Sequence, residues 1–220
     1  MKKKSIANII YSVIVLASGV SHSHVTALNY EVSPLTTIVV EDSTPLGYIY
    51  KQFDIGDTSY NPSDFITDGY TIPTDYVPFN IRVLNQLQFV TFAQQLPPDN
   101  TDDEAGLGNG YVAAFTLSGF FLAELISQGN LNSPWGLEWA PSNFGEFSGA
   151  LLIGNYGDGK INAYDMMTGT FLGTLTDANN DPIVIDGLWS LYFDSNGILN
   201  FTSMPTGASD GLTGTIIPLP

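Results

Sequence analysis

From Tyr76 onward the chain alternates short apolar runs with polar turns. Tyr76-Val77-Pro78-Phe79-Asn80-Ile81 and Gln88-Phe89-Val90-Thr91-Phe92-Ala93 predict two strands, and a long acidic loop from Pro97 to Asn109 follows them. An echo then appears: Gly110-Tyr111-Val112 with Phe115, Gly119 and Leu122 returns 49 or 50 positions later as Gly159-Lys160-Ile161 with Tyr164, Gly169 and Leu172. Trp135-Gly136-Leu137-Glu138-Trp139 similarly anticipates Trp189-Ser190-Leu191-Tyr192-Phe193 by 54 positions, and Leu152-Ile153-Gly154 anticipates Leu199-Asn200-Phe201 by 47. Offsets scattered about one length are what loop insertions between similar strands produce, and about 40–50 residues is the period of a propeller blade.

Before Tyr76 the pattern is less regular. Residues 28–75 hold short apolar runs at Thr36 to Val40 and Gly47 to Tyr50, then a polar, turn-rich stretch, and read as a degenerate blade or a strand pair. Residues 76–220 read as the blades. The first 27 residues have a different logic: Lys2, Lys3 and Lys4 precede an apolar stretch from Ile6 to Val20, and small residues follow at Ala17, Gly19 and Ala27. This is the layout of a signal peptide, with cleavage expected after Ala27; the apolar core is short for a membrane span.

Composition agrees with an all-β chain. Glycine (22) and proline (13) punctuate the sequence, aromatics make up 12%, and no helical periodicity persists after the first segment. No cysteine is present, so thiolate metal sites and redox chemistry are excluded, while a chain of this length can bury a core without disulfides. Removing residues 1–27 leaves Lys51, Arg82 and Lys160 against 22 acids, a formal charge of −19. Such a surface repels phosphate backbones and anionic lipid, which argues against nucleic acid and membrane partners and leaves cations, basic proteins and neutral glycans.

Several runs carry a resemblance: Leu131-Asn132-Ser133-Pro134-Trp135-Gly136-Leu137, Gly149 to Asp165, Thr168 to Trp189, the earlier Tyr76 to Ile81 and the loop Asp102-Asp103-Glu104-Ala105-Gly106. Together they resemble a family of uncharacterised secreted β-propeller proteins of bacteria and giant viruses with NHL-like repeats. The resemblance covers the chain from about residue 45 and implies the C-terminal part of a longer protein. The fold expected is therefore all-β, an incomplete or small β-propeller of about four blades after an N-terminal signal segment.

Candidate chemistry is sparse. The two histidines, His22 and His24, lie beside the signal segment, so a Ser-His-Asp triad or a histidine metal cluster is closed to the mature domain. Asp177-Ala178-Asn179-Asn180-Asp181 has the spacing of oxygen ligands for Ca²⁺, but Pro182 stands where the EF-hand loop needs glycine and Leu188 where it needs a glutamate, so a polar hairpin turn explains it better. Asn155, Asp158 and Asp186 are the residues to try for a divalent-cation site of the lactonase type; Asn155 to Gly159 reads first as a tight turn. Trp135, Trp139 and Trp189 are expected to pack between sheets, with stacking on sugar rings as the alternative. Asn200-Phe201-Thr202 is the one Asn-x-Ser/Thr sequon without an intervening proline, making Asn200 the candidate N-glycan site.

Two functions follow as expectations. One is a non-catalytic extracellular or virion-associated propeller that binds or scaffolds; the other is a divalent-cation-dependent hydrolase. An incomplete arc further predicts a homodimer or a blade-donating protein partner, with an apolar face built from Leu137, Leu152, Ile153 and Leu191 left to cover.

Overall fold

A computed structural model describes residues 38–44, 47–53, 72–98, 100, 102–117, 119–205 and 210–218. The signal segment lies outside the described residues. Strands β1 (Ile38–Thr44) and β2 (Gly47–Phe53) form an antiparallel pair. The next four, β3 (Tyr76–Leu84), β4 (Leu87–Gln94), β5 (Tyr111–Thr116) and β6 (Phe121–Ser127), form a sheet in chain order. A second four-stranded sheet repeats that order with β7 (Pro134–Trp139), β8 (Leu151–Asn155), β9 (Ile161–Tyr164) and β10 (Phe171–Thr174). The third sheet has β11 (Leu188–Phe193), β12 (Leu199–Ser203) and β13 (Leu212–Ile216). Neighbouring strands within every sheet are antiparallel, and the only described helical turn is a short 3-10 segment at Gly145–Phe147.

The sequence echo maps onto this arrangement strand by strand. Tyr111 and Ile161 sit in third strands, Trp135 and Trp189 are each the second residue of a first strand, and Leu152 and Leu199 lie in second strands. The recurrence is therefore one of whole sheets.

Strand alternation decides how the sheets stack. Leu151 and Ile153 point into a core with Phe89, Val112, Ala114 and Ile126 of the first sheet, while Leu152 between them joins Leu188, Leu191 and Leu199 of the third. The second sheet is thus apolar on both faces and sandwiched. Each fully buried Leu or Ile there contributes about 1.5–3 kcal/mol relative to exposure. Leu137, Leu152, Ile153 and Leu191, expected to build an uncovered face, are all buried at 0–1% exposure between sheets of this same chain. Period-two alternation sent them inward on both sides of one sheet, which a sequence run cannot distinguish from an outward face.

The far face of the third sheet is different. Register places Tyr192, Asn200 and Thr215 in one row and Thr202 beside Thr213 in the next, and Ser190 Oγ and Thr202 Oγ1 are hydrogen-bond partners at 2.7 Å. That face is polar.

Candidate functional site

The first strands of the three sheets lie side by side. Asn80 Nδ2 donates to the Trp135 carbonyl at 2.7 Å, Arg82 Nη2 pairs with Glu138 Oε2 at 2.8 Å, and Arg82 Nη1 donates to the Leu191 carbonyl at 3.2 Å. These links climb β3 and β7 in step, so the two strands run the same way. Arg82, the only arginine of the chain, ties all three sheets. Glu138 is 8% exposed, and its burial raises the carboxyl against the lowering pull of Arg82.

At the leading end of these strands four aromatic rings meet. Phe79 packs edge-on against Trp135 at 4.8 Å, Trp135 against Trp189 at 5.8 Å, and Tyr156 lies 6.0 Å from Trp189 and 6.5 Å from Phe79. One ring comes from β3, one from β7, one from β11, and Tyr156 from the β8–β9 turn. Two glycines let the backbone close in here. Gly159 (φ +70°) carries no Cβ where one would strike the Ile185 carbonyl, and Gly187 (φ +63°) likewise clears the Met204 carbonyl. Those contacts seat the Ile185-Asp186-Gly187 segment against the β8–β9 turn, with the Ile185 amide donating to the Gly159 carbonyl at 2.9 Å.

Residues 102–109 lie against the same end. Their backbone is stitched back to the strand by Leu96 N to Asp102 O at 2.8 Å and Glu104 N to Gln94 O at 2.8 Å, and Gly106 N donates to Asn132 Oδ1 at 2.7 Å. Burial pushes the Asp103 carboxyl up to about 6; the neighbouring Ser133 hydroxyl opposes the rise and Asp102 adds to it. The Ser133 hydroxyl, fully buried, completes no hydrogen bond of good geometry, nor does Asn155 Oδ1. The Tyr156 hydroxyl is raised by burial and then by the charges of Asp103, Asp102 and Asp186.

The sequence-nominated residues fall into this region but have distinct duties. Asn155 is fully buried, its Nδ2 donating to the Asn130 carbonyl at 2.9 Å and to Asp158 Oδ1 at 3.0 Å. Asp158 pairs with Lys160 Nζ at 3.1 Å. Asp186 is exposed, two residues ahead of β11. Among the described residues no three His, Cys, Asp or Glu side chains converge as metal ligands. Asp177 instead closes a turn, its Oδ1 accepting from the Asn179 amide at 2.8 Å and the Asp181 amide at 3.1 Å. Asn200 lies on the polar far face of the third sheet, half-buried, with Nδ2 bonded to the Ile198 carbonyl at 2.9 Å.

Trp135 and Trp189 bridge sheets. Trp139 does not: it is 40% exposed at the other end of β7, its Nε1 held by the Gly149 carbonyl at 3.1 Å, beside an open groove of ≈ 500 Å³ lined by Pro141, Ser142 and Ser148. Sequence reasoning missed Phe79 and Tyr156 as partners of the tryptophans. The signal was the shared position of Phe79, Trp135 and Trp189 early in first strands.

No family model matches the chain. It is similar to three proteins of Acanthamoeba polyphaga mimivirus: uncharacterized protein R648, 32% identical over 89% of this chain and 55% of the relative; L690, 34% identical over 66% and 39%; and R640, 39% identical over 53% and 22%. The chain thus spans about half, or less, of the curated relatives it matches. A solved protein of unknown function from Bacteroides caccae aligns over 84% of this chain and 58% of its own, at a TM-score of 0.39 and 10% identity. The giant-virus side of the resemblance is shown by these relatives; none of their names specifies a repeat class. Among the described residues no helix is long and apolar enough to cross a membrane.

Proposed function

We propose that this chain is a binding or scaffolding module that performs no catalysis, built as part of a β-propeller whose inner face engages the partner. The propeller reading draws on consecutive antiparallel meanders stacked face to face with their first strands adjacent, the way blades surround an axis. The observation that carries the binding role is the aromatic group of Phe79, Trp135, Tyr156 and Trp189, contributed by all three sheets at the leading end of those strands. Blade ends near the axis are where such folds present ligands, and half-buried aromatics supply contact area with little loss of side-chain freedom. Export, and a place on the virion surface, are part of the proposal; the signal-like N-terminus supports the first and the mimivirus relatives the second.

The lactonase-type alternative has less behind it, because both Asp158 carboxylate oxygens are engaged, by Asn155 Nδ2 and by Lys160, and among the described residues no three His, Cys, Asp or Glu side chains converge. Melting the protein with Ca²⁺, Mn²⁺ or Zn²⁺ separates the two: an ion bound only by the folded state raises the melting temperature with concentration. For the inner-face reading, a photo-crosslinking residue is placed at Tyr156 or, as control, at Thr213 on the polar far face, in the full chain secreted from its host. Adducts from position 156 alone support it, and adducts from 213 alone, or equal adducts from both, overturn it.

A further inference from the structure

We propose that the outer edge of β13 pairs with the same edge of a second copy of this chain, antiparallel about a twofold axis at Gly214. The pairing holds whatever the inner face binds. The first and second sheets each have four strands in chain order, whereas the third stops at three. β13 therefore ends its sheet one strand early, and an edge strand directs the amides and carbonyls of alternate residues at whatever comes next.

Edges are normally blunted, and those of the other two stacked sheets are. β6 carries Glu124 and two breaks of register against β5, and β10 is four residues long with a break against β9. β13 has none of these devices. Its ladder with β12 runs unbroken from Leu212 to Ile216, and neither a charge nor a proline lies within it. Although the chain holds 22 acids, residues 211–220 hold none.

The occupant is set by the order Leu212-Thr213-Gly214-Thr215-Ile216, which reads nearly the same in both directions. Antiparallel pairing centred on Gly214 puts Leu212 opposite Ile216, Thr213 opposite Thr215 and Gly214 opposite itself, so every cross-strand pair is alike in kind. The two sides match as well. Thr213 and Thr215 stand on the polar far face, while Ile216 packs on the core of Leu188, Leu191 and Leu199 and the ring of Phe201 covers Gly214. Leu212, 55% exposed, gains an apolar neighbour from the other copy. Asp210, the nearest acid, lies before one end of the strand, and the twofold keeps its two copies at opposite ends of the pair. β11, β12 and β13 of both copies then form one continuous sheet.

The test is sedimentation equilibrium of the full chain at about 5–500 µM, a range wide enough for the weak association expected of a small interface. Salt is held at about 0.15 M, which screens the net charge beyond about 8 Å. Three chains are compared: the natural one, Thr213→Glu/Thr215→Glu, and Thr213→Lys/Thr215→Lys. Either double variant sets like charges opposite one another at both threonine pairs while altering only the polar far face, and melting curves confirm that it is folded. The natural chain is expected to dimerise, each double variant alone to dimerise about tenfold more weakly, and an equimolar mixture of the two to recover the dimer as a heterodimer. A natural chain that stays monomeric across the range overturns the proposal. So does a dimer that both double variants keep undiminished, or a mixture no tighter than its components, since each places the contact on another surface or in another register. In the crosslinking test of the inner face, a self-adduct from position 213 reports this dimer, and only foreign adducts count there against the inner face.

Discussion

The second and third sheets begin with closely similar strands and end as different objects. In the second, β8 and β9 are buried at every position; in the third, β12 buries only its two ends. The second sheet has a neighbour on each side, so both faces must be apolar, as in any doubly covered sheet. The third packs Leu188, Leu191 and Leu199 against the second and turns Tyr192, Asn200, Thr202, Thr213 and Thr215 away from it. Stacked units need a polar outer face where stacking stops, and this row of hydroxyls and amides supplies one. A repeat in sequence therefore does not imply a repeat in exposure.

The largest expected effect tests this contrast directly. Leu152→Ala removes a side chain at 0% exposure between the second and third sheets and is expected to cost about 3–4 kcal/mol in urea unfolding, while Thr213→Ala on the far face changes stability by less than about 0.5 kcal/mol. Comparable losses at the two positions would mean that the far face is covered too.

Next comes the tie between sheets. Arg82→Ala strands the Glu138 carboxyl and removes the bond to Leu191, and is expected to cost about 2–3 kcal/mol; Glu138→Gln in the same chain recovers part of it. A double-mutant cycle measures the coupling, and purely additive losses would show that the pair is independent.

The carboxylates extend the comparison to pH. Asp103 is held up to about 6 by burial, whereas Asp177 and Asp194 in exposed turns are held down by backbone amide donors. Below about 6 the folded chain keeps a proton on Asp103 that the unfolded chain still releases, so stability rises as pH falls from 7.5 toward 4, by at most about 2–3 kcal/mol. Glu138 is raised as well and acts in the same direction. Asp103→Asn should flatten this part of the stability profile in denaturant titrations between pH 4 and 7.5. The depressed turn carboxylates work oppositely, their contribution disappearing only as pH falls through their own lowered values.

The smallest effect concerns Asn200. On a polar, half-exposed row it is expected to accept a glycan in eukaryotic secretion, so Asn200→Gln removes mass seen by spectrometry while leaving the melting temperature nearly unchanged. Loss of mass together with a large fall in melting temperature would place the residue inside the packing.

Much of the chain was legible before any coordinates. The echo of Gly110-Tyr111-Val112 in Gly159-Lys160-Ile161 marked third strands, and the tryptophan echo marked first strands, because β alternation and glycine turns are local properties. The turn at Asp177 was readable too, since its hydrogen bonds span four residues. The candidate site was less legible. Asn155, Asp158 and Asp186 read as a set in sequence, but Asn155 and Asp158 are bonded into one turn while Asp186 stands exposed just ahead of β11.

The amino-acid order alone determined an all-β chain, the places of several of its strands and its acidity, all matters of composition and of spacing within a few residues. Only the tertiary structure decided which apolar face meets which. Phe79, Trp135 and Trp189 lie more than 50 residues apart, and Arg82 reaches Leu191 across 109 positions. Contacts at such separations depend on how sheets stack, and stacking is chosen by the complementarity of whole faces rather than by any local run.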